Sequence, residues 1–291
     1  MVQISHMTKI NIRGVFHNYQ LTQATTHSSV LVFIHGWLLS SSYWQSIVDQ
    51  LSPTFQCLTY DLRGFGGSQL NPNHSTDCQL GYTPAAYAED LEILLDKLDL
   101  DSVWLVGHSL GGSIALWAAA QIPERVKGVI CVNSGGGIYI QKEFERFRQA
   151  GTWMVQQRRW WWNYVPMLDL AFTRMNVVRP IPRKWAKQRI VDFLSAYSEA
   201  AVGSLLESTT EGEVHRLPHL VSKLQQPAYF IAGEGDTVME PKYVRHLASF
   251  HPLFQNGKEN AIELPHCGHL AMLEQSELLA REIRRILYRH G

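Results

Sequence analysis

Ser109, Asp236 and His269 have the residue types and the order in the chain to carry out nucleophilic acyl transfer. Ser109 sits in Gly107-His108-Ser109-Leu110-Gly111, between the apolar run Val103-Trp104-Leu105-Val106 and a helical pattern from Ser113 to Ala120. A serine hydroxyl is a poor nucleophile at neutral pH and needs an imidazole to take its proton. The imidazole in turn needs a carboxylate to fix its tautomer and stabilise its cation. Asp236 follows Phe230-Ile231-Ala232-Gly233-Glu234-Gly235, and His269 follows Leu264-Pro265-His266-Cys267-Gly268, so both stand just past the ends of expected strands. A serine on so sharp a strand-to-helix turn is held in a strained conformation, and the glycines at 107 and 111 let backbone and helix pass closely.

The elements that must position these residues alternate. Met7 to Ile12 and Val15 to Gln20 flank Arg13-Gly14 and predict an edge hairpin. Val30 to Ile34 is a continuous β-branched and apolar run, the mark of a strand covered on both faces, and Tyr43 to Leu51 has helical periodicity. Phe55 to Tyr60 is the next strand, and Pro84 opens a helix over Ala85 to Leu98. After the serine strand and its helix come Val126 to Val132, Pro227 to Ala232, Ala261 to Leu264 and a final amphipathic helix from Ser276 to Tyr288. Strands alternating with helices at this spacing imply right-handed crossovers and a mostly parallel, doubly wound α/β sheet. Ligands in such sheets bind outside the carboxyl ends of the strands.

The rhythm breaks between Ile138 and about Ser222. That stretch has no β-branched strand run but carries Trp153, Trp160, Trp161, Trp162 and Trp185 with scattered arginines. It reads as a helical lid inserted into the sheet domain, dividing the chain into 1–137, 138–222 and 223–291. Trp160-Trp161-Trp162 cannot all face one side of a helix, so at least one is expected to reach the cleft or solvent. All three are candidate substrate contacts in an apolar roof.

Composition bounds the rest. Apolar residues make up 45% of the chain, charged residues 18%, and the formal net charge is zero. No general attraction to nucleic acid or to an anionic membrane is expected. Cys57, Cys78, Cys131 and Cys267 show no paired spacing, which suggests free thiols in a reducing compartment. No apolar run reaches membrane-spanning length and no signal pattern opens the chain, so a soluble cytoplasmic protein is the default. No metal cluster, dinucleotide fingerprint or phosphate loop appears, and no cofactor is expected. The sequence leaves the oligomeric state open.

His35-Gly36-Trp37, Asp61-x-Arg63-Gly64-x-Gly66-x-Ser68, the serine turn, Gly233-x-Gly235-Asp236 and Gly268-His269 together resemble a lid-bearing α/β-hydrolase of the serine esterase type, over nearly the whole chain. The resemblance implies Ser109 as nucleophile, His269 as general base and then acid, and Asp236 as its orienter. It also implies an oxyanion hole made by the backbone N–H groups of Trp37 and Leu110. Relatives that open carbon–halogen or epoxide bonds use aspartate at the turn, and serine argues against those reactions. His108 reads as a packing residue, His35 as a loop brace, and Asp61 with Arg63 as pins for the loop that follows their strand. His266 and Glu234 are the nearest rivals to His269 and Asp236. Cys267 reads as a buried small hydrophobe. The expected reaction is hydrolysis of a small-molecule carboxylic ester with an apolar moiety through an acyl-enzyme. Two alternatives keep the fold: carbon–carbon cleavage or elimination like that of a quinone-pathway synthase, which the chain resembles in general layout, and ligand binding without catalysis. That synthase usually has arginine directly after the turn's Gly-Gly, where this chain has Ser113.

Overall fold

Val30–Ile34 forms strand β3, buried at every residue. Side chains alternate across a strand, so Val30, Val32 and Ile34 enter one core layer while Leu31 and Phe33 enter the other. Both faces are therefore covered, and the run has to be apolar throughout. This arrangement comes from a computed structural model describing residues 7–69, 80–135, 141–255 and 259–290. Cys78 and the expected lid start at Ile138 lie outside the described residues.

The other strands are β1 (Thr8–Ile12), β2 (Val15–Leu21), β4 (Cys57–Tyr60), β5 (Val103–His108), β6 (Val126–Val132), β7 (Ala228–Gly233) and β8 (Ala261–Leu264). They form one sheet in the order β1-β2-β4-β3-β5-β6-β7-β8. The pairings from β4 through β8 are parallel, and β1 and β2 add the antiparallel edge hairpin. Arg13 and Gly14 both take positive φ, 51° and 83°, the twist that a two-residue hairpin turn requires. The chain runs from β3 outward to β4 and then returns to the other side of β3 as β5. The carboxyl ends of β3 and β5 therefore border a topological switch point, where open α/β sheets take their ligands.

Helices α1 (Gln45–Leu51), α2 (Pro84–Lys97) and α3 (Leu110–Gln121) alternate with these strands. Between β6 and β7 come α4 (Gln141–Gln157), a 3₁₀ turn at Trp160–Tyr164, α5 (Leu168–Arg174), α6 (Arg183–Ser195), α7 (Ser198–Ser208) and α8 (Glu211–Lys223). After β7 follow α9 (Pro241–Ala248), α10 (Pro252–Gln255), α11 (Ala271–Glu274) and α12 (Ser276–Leu287). Residues of α2, α3, α8 and α9 fill one core layer, and those of α1, α11 and α12 fill the other. The last of the helices between β6 and β7, α8, packs on α3, and the Trp117 indole donates to Glu213 there. It therefore serves as the crossover helix into β7. Among the described residues no helix is long and apolar enough to cross a membrane.

Candidate active site

Ser109 joins β5 to α3 with φ 52° and ψ −118°, a region that non-glycine residues avoid. The neighbouring glycines show what enforces it. A Cβ on Gly107 would stand 2.1 Å from the Gly111 carbonyl oxygen, and one on Gly111 would stand 2.3 Å from that of Ile34. The helix thus starts directly against β3 and β5, and Ser109 is left half-buried at the rim. Leu110 is the first residue of α3, so its N–H has no carbonyl one turn earlier.

The acid and the imidazole meet at the ends of β7 and β8. His269 Nδ1 and Asp236 Oδ2 are 2.8 Å apart, and both residues are buried. Burial works against the Asp236 charge. The charge of His269 and hydrogen bonds from His269, the Met239 N–H and Asn133 Nδ2 outweigh it and hold the carboxyl below its ordinary range. Asp236 Oδ1 accepts the N–H groups of Val238 and Met239 at 2.8 and 2.9 Å. Asn133, fully buried just past β6 with φ 48°, donates from Nδ2 to Asp236 Oδ2 at 2.8 Å and to the Gly268 carbonyl at 3.2 Å. Sequence reasoning passed over Asn133. Its signal was its place at the carboxyl end of a buried strand, with a side chain suited to positive φ.

The loop bearing His269 is held by a segment of the insertion. The His269 N–H donates to the Asn176 carbonyl at 2.8 Å. Glu274 accepts from the Gly268 N–H at 3.0 Å through Oε1, and from the Val178 and Arg179 N–H groups at 2.7 and 2.9 Å through Oε2. One carboxylate therefore ties residues 178–179 to the backbone next to His269.

The remaining motif residues take bracing positions. His35 accepts the Leu62 N–H at Nε2 (2.9 Å) and donates from Nδ1 to the Gly36 carbonyl (2.8 Å); burial lowers its pKa and keeps it neutral. Asp61 accepts the N–H groups of Ser41 and Gly67 at 2.7 and 2.8 Å. Arg63 is buried against Asp90 at 2.8 Å and donates to the Gly81 carbonyl at 2.8 Å. His108 Nε2 donates to the His269 carbonyl at 2.7 Å. Burial, with the charge of His269 added, pushes His108 down to about 3, so it stays neutral. His266 and Glu234 are exposed, and Glu234 accepts the His266 N–H at 2.8 Å. Cys57, Cys131 and Cys267 are free and buried. Burial raises the pKa of all three, that of Cys57 to about 12.

Ser109 and His269 open into one cavity of about 280 Å³. Trp37, Leu38, Leu110, Val238 and Met239 line it from the sheet domain. Phe147, Met154, Phe172, Arg189, Leu205 and Leu217 line it from the insertion. The Trp37 indole also donates to the Ala201 carbonyl of α7 at 2.8 Å, which fixes the roof to the loop after β3. The expected contacts Trp160, Trp161 and Trp162 are absent from the lining and need correction. They occupy a 3₁₀ turn, where three successive side chains point three ways. Trp160 and Trp161 are 77% and 49% exposed, while Trp162 stacks on Phe193 with centroids 6.0 Å apart. Among the described residues no group of three His, Cys, Asp or Glu side chains is placed to hold a metal ion.

Comparison with known proteins agrees with this architecture. Residues 29–276 match the family described as the alpha/beta hydrolase fold, and the chain belongs to that family. It is 34% identical over 131 residues to a pimeloyl-(acyl-carrier protein) methyl ester esterase of Photobacterium profundum. That match covers 45% of this chain and 43% of the relative, so it spans less than half of either protein. A protein of the same description from Xanthomonas axonopodis pv. citri is 26% identical over 269 residues, covering 90% of this chain and 96% of its own. Among solved structures, a thermophilic esterase from Thermogutta terrifontis superposes with a TM-score of 0.75 at 22% identity, covering 99% of this chain and 100% of its own.

Proposed function

We propose that the protein is a serine hydrolase that cleaves carboxylic esters with an apolar moiety through an acyl-enzyme. The observation that carries this reading is the buried His269–Asp236 pair, bonded at 2.8 Å, opening into the same cavity as the strained Ser109. Ser109 Oγ attacks the ester carbonyl while its proton passes to His269 Nε2. The His269 Nδ1–H donates to Asp236, which stabilises the imidazolium. The carbonyl oxygen, now an alkoxide, is received by the N–H groups of Leu110 and Trp37, donors fixed in place before the charge develops. Collapse of the tetrahedral intermediate breaks the bond to the alkoxy group, and His269 gives that oxygen the proton. Water, deprotonated by His269, then attacks the acyl-enzyme and releases the acid and Ser109.

The apolar lining favours an ester with hydrocarbon on at least one side, and the relatives' names favour a small alkoxy leaving group. The reading is tested with a panel of esters graded in acyl and alcohol length, together with fluorophosphonate labelling of Ser109. Labelling with turnover is expected. Labelling without turnover of any ester would favour non-hydrolytic use of the same site.

A further inference from the structure

Arg189 is the permanently charged side chain among the described residues lining the Ser109 cavity. It projects from α6 and is 9% exposed, yet no carboxylate lies within ion-pairing distance of it among the described residues. A guanidinium has five N–H donors. Among the described residues this one makes a single hydrogen bond, from Nη2 to Asn176 Oδ1 at 2.7 Å, and its buried Nε has no partner there. Its guanidinium carbon lies over the Phe172 ring, 5.2 Å from the centroid. Asp192, one turn along α6, accepts instead from Ser40 Oγ at 3.0 Å and from Gln188 Nε2 at 2.9 Å. Burial opposes the charge of Arg189 and is only partly offset by Tyr43 and Asp192. Buried charges are normally paired, so a cation kept in the same cavity as Ser109 points to a partner that arrives with the ligand.

We propose that Arg189 is the anion-binding subsite of this cavity and that the substrate is a monoester of a dicarboxylic acid. Its free carboxylate is held by Arg189, and its hydrocarbon chain spans the apolar cavity to Ser109. The substrate class rests on the ester-hydrolase reading given above; the anion subsite does not. A carboxylate takes two parallel N–H bonds from a guanidinium, and the neutral Asn176 amide beside it holds the fork in place without competing as a counter-ion. The Phe172 ring adds a cation–π contact on one side of the guanidinium.

The test compares monomethyl esters of straight-chain dicarboxylic acids, graded in length, with methyl esters of monocarboxylic acids of equal length. At the best length the wild-type protein is expected to favour the acid-bearing ester by about 10- to 150-fold in kcat/KM, the range for one charge-assisted pairing. Arg189→Met should bring that ratio to near one, whatever happens to absolute rates, and Arg189→Lys should leave an intermediate ratio. Binding of the same monoesters to Ser109→Ala protein, measured by calorimetry with and without Arg189→Met, separates the subsite from the chemistry. Turnover of both ester series at equal rates, or a preference that survives Arg189→Met, overturns the subsite and leaves the esterase intact. Monoester binding that needs Arg189 without turnover of any ester supports the subsite and overturns the esterase. Neither binding nor turnover overturns both.

Discussion

Glu274→Gln should impair the reaction more than it impairs the fold. The carboxylate accepts three backbone N–H groups, from Gly268, Val178 and Arg179. A glutamine carbonyl can replace one oxygen, but its NH₂ then faces a donor instead of an acceptor. In the gentler orientation the Gly268 bond is lost and the other two lose their charge assistance. A hydrogen bond to a charged group contributes about 1.5–3 kcal/mol; Glu274 is only half-buried, so about 1–2 kcal/mol is the reasonable loss. At about 2–4 °C per kcal/mol for a chain of roughly this size, Tm should fall by about 2–8 °C. The bond that goes is next to His269, whose own N–H reaches the Asn176 carbonyl of the same insertion segment. A displacement of about 1 Å in a reacting group costs about 100-fold, so a fraction of that movement should lower kcat by about tenfold or more. KM, set mainly by the apolar lining, should move less. The assay is kcat and KM on a short ester beside a thermal melt. If Tm falls as expected while kcat stays within twofold of wild type, the contact between insertion and loop does not position His269, and the reasoning fails.

Ser109→Ala should lower ester hydrolysis by about 10⁴- to 10⁶-fold with an unchanged circular dichroism spectrum; retention of a tenth of wild-type activity would sink the triad assignment. Asn133→Ala removes a donor to Asp236, a carboxyl whose folded pKa lies below its unfolded value. Stability from such a group is present above the unfolded pKa and is lost as pH falls through the folded one. The stability gap between wild type and Asn133→Ala should therefore be widest near neutral pH, about 1.5–3 kcal/mol for that bond, with about 0.5–1.5 kcal/mol more for the lost bond to the Gly268 carbonyl and about 1 kcal/mol for alanine at positive φ. Only the first part should shrink as pH falls below the ordinary carboxylate range of about 4 and through the lowered folded value, and a series of urea melts from pH 7 downward would show whether it does. Each buried methylene contributes about 0.8 kcal/mol, so kcat/KM should rise almost fourfold per carbon until the cavity is full. Phe147→Ala should flatten that rise and Trp160→Ala should leave it intact, and the reverse pattern would refute the lining described above.

The sheet was legible because strand burial is a local property of sequence. Val30–Ile34 can be apolar at every position only if both faces are covered, and Gly107 and Gly111 betray a close approach through the absence of a side chain. The positions of Ser109, Asp236 and His269 followed from the same logic, since each stands where a buried run stops. The insertion offers no such rule. Its tryptophans suggested a roof because large apolar side chains usually find cover, but a 3₁₀ turn turned two of them to solvent. The lining instead came from Phe147, Met154, Phe172 and Leu205, residues that any amphipathic helix could carry inward.

The residues that sequence reasoning missed share a physical character: each acts through contacts that no local pattern encodes. Asn133 reaches Asp236 across 103 positions of sequence, and Glu274 reaches Val178 across 96. Arg189 stands in Arg183–Ser195, where no local pattern marks it; only the packing of α6 over the cavity shows that it is buried with no ion-paired carboxylate among the described residues. A residue of this kind tests the functional reading more sharply than the triad does. Ser109, His269 and Asp236 are compatible with any ester that fits. A buried guanidinium without an ion-paired carboxylate is a cost to the folded chain, here only partly offset by Tyr43 and Asp192, and on the proposal above the ligand supplies the missing charge. On the proposed anion subsite, substrate preference turns on α6 rather than on the serine turn.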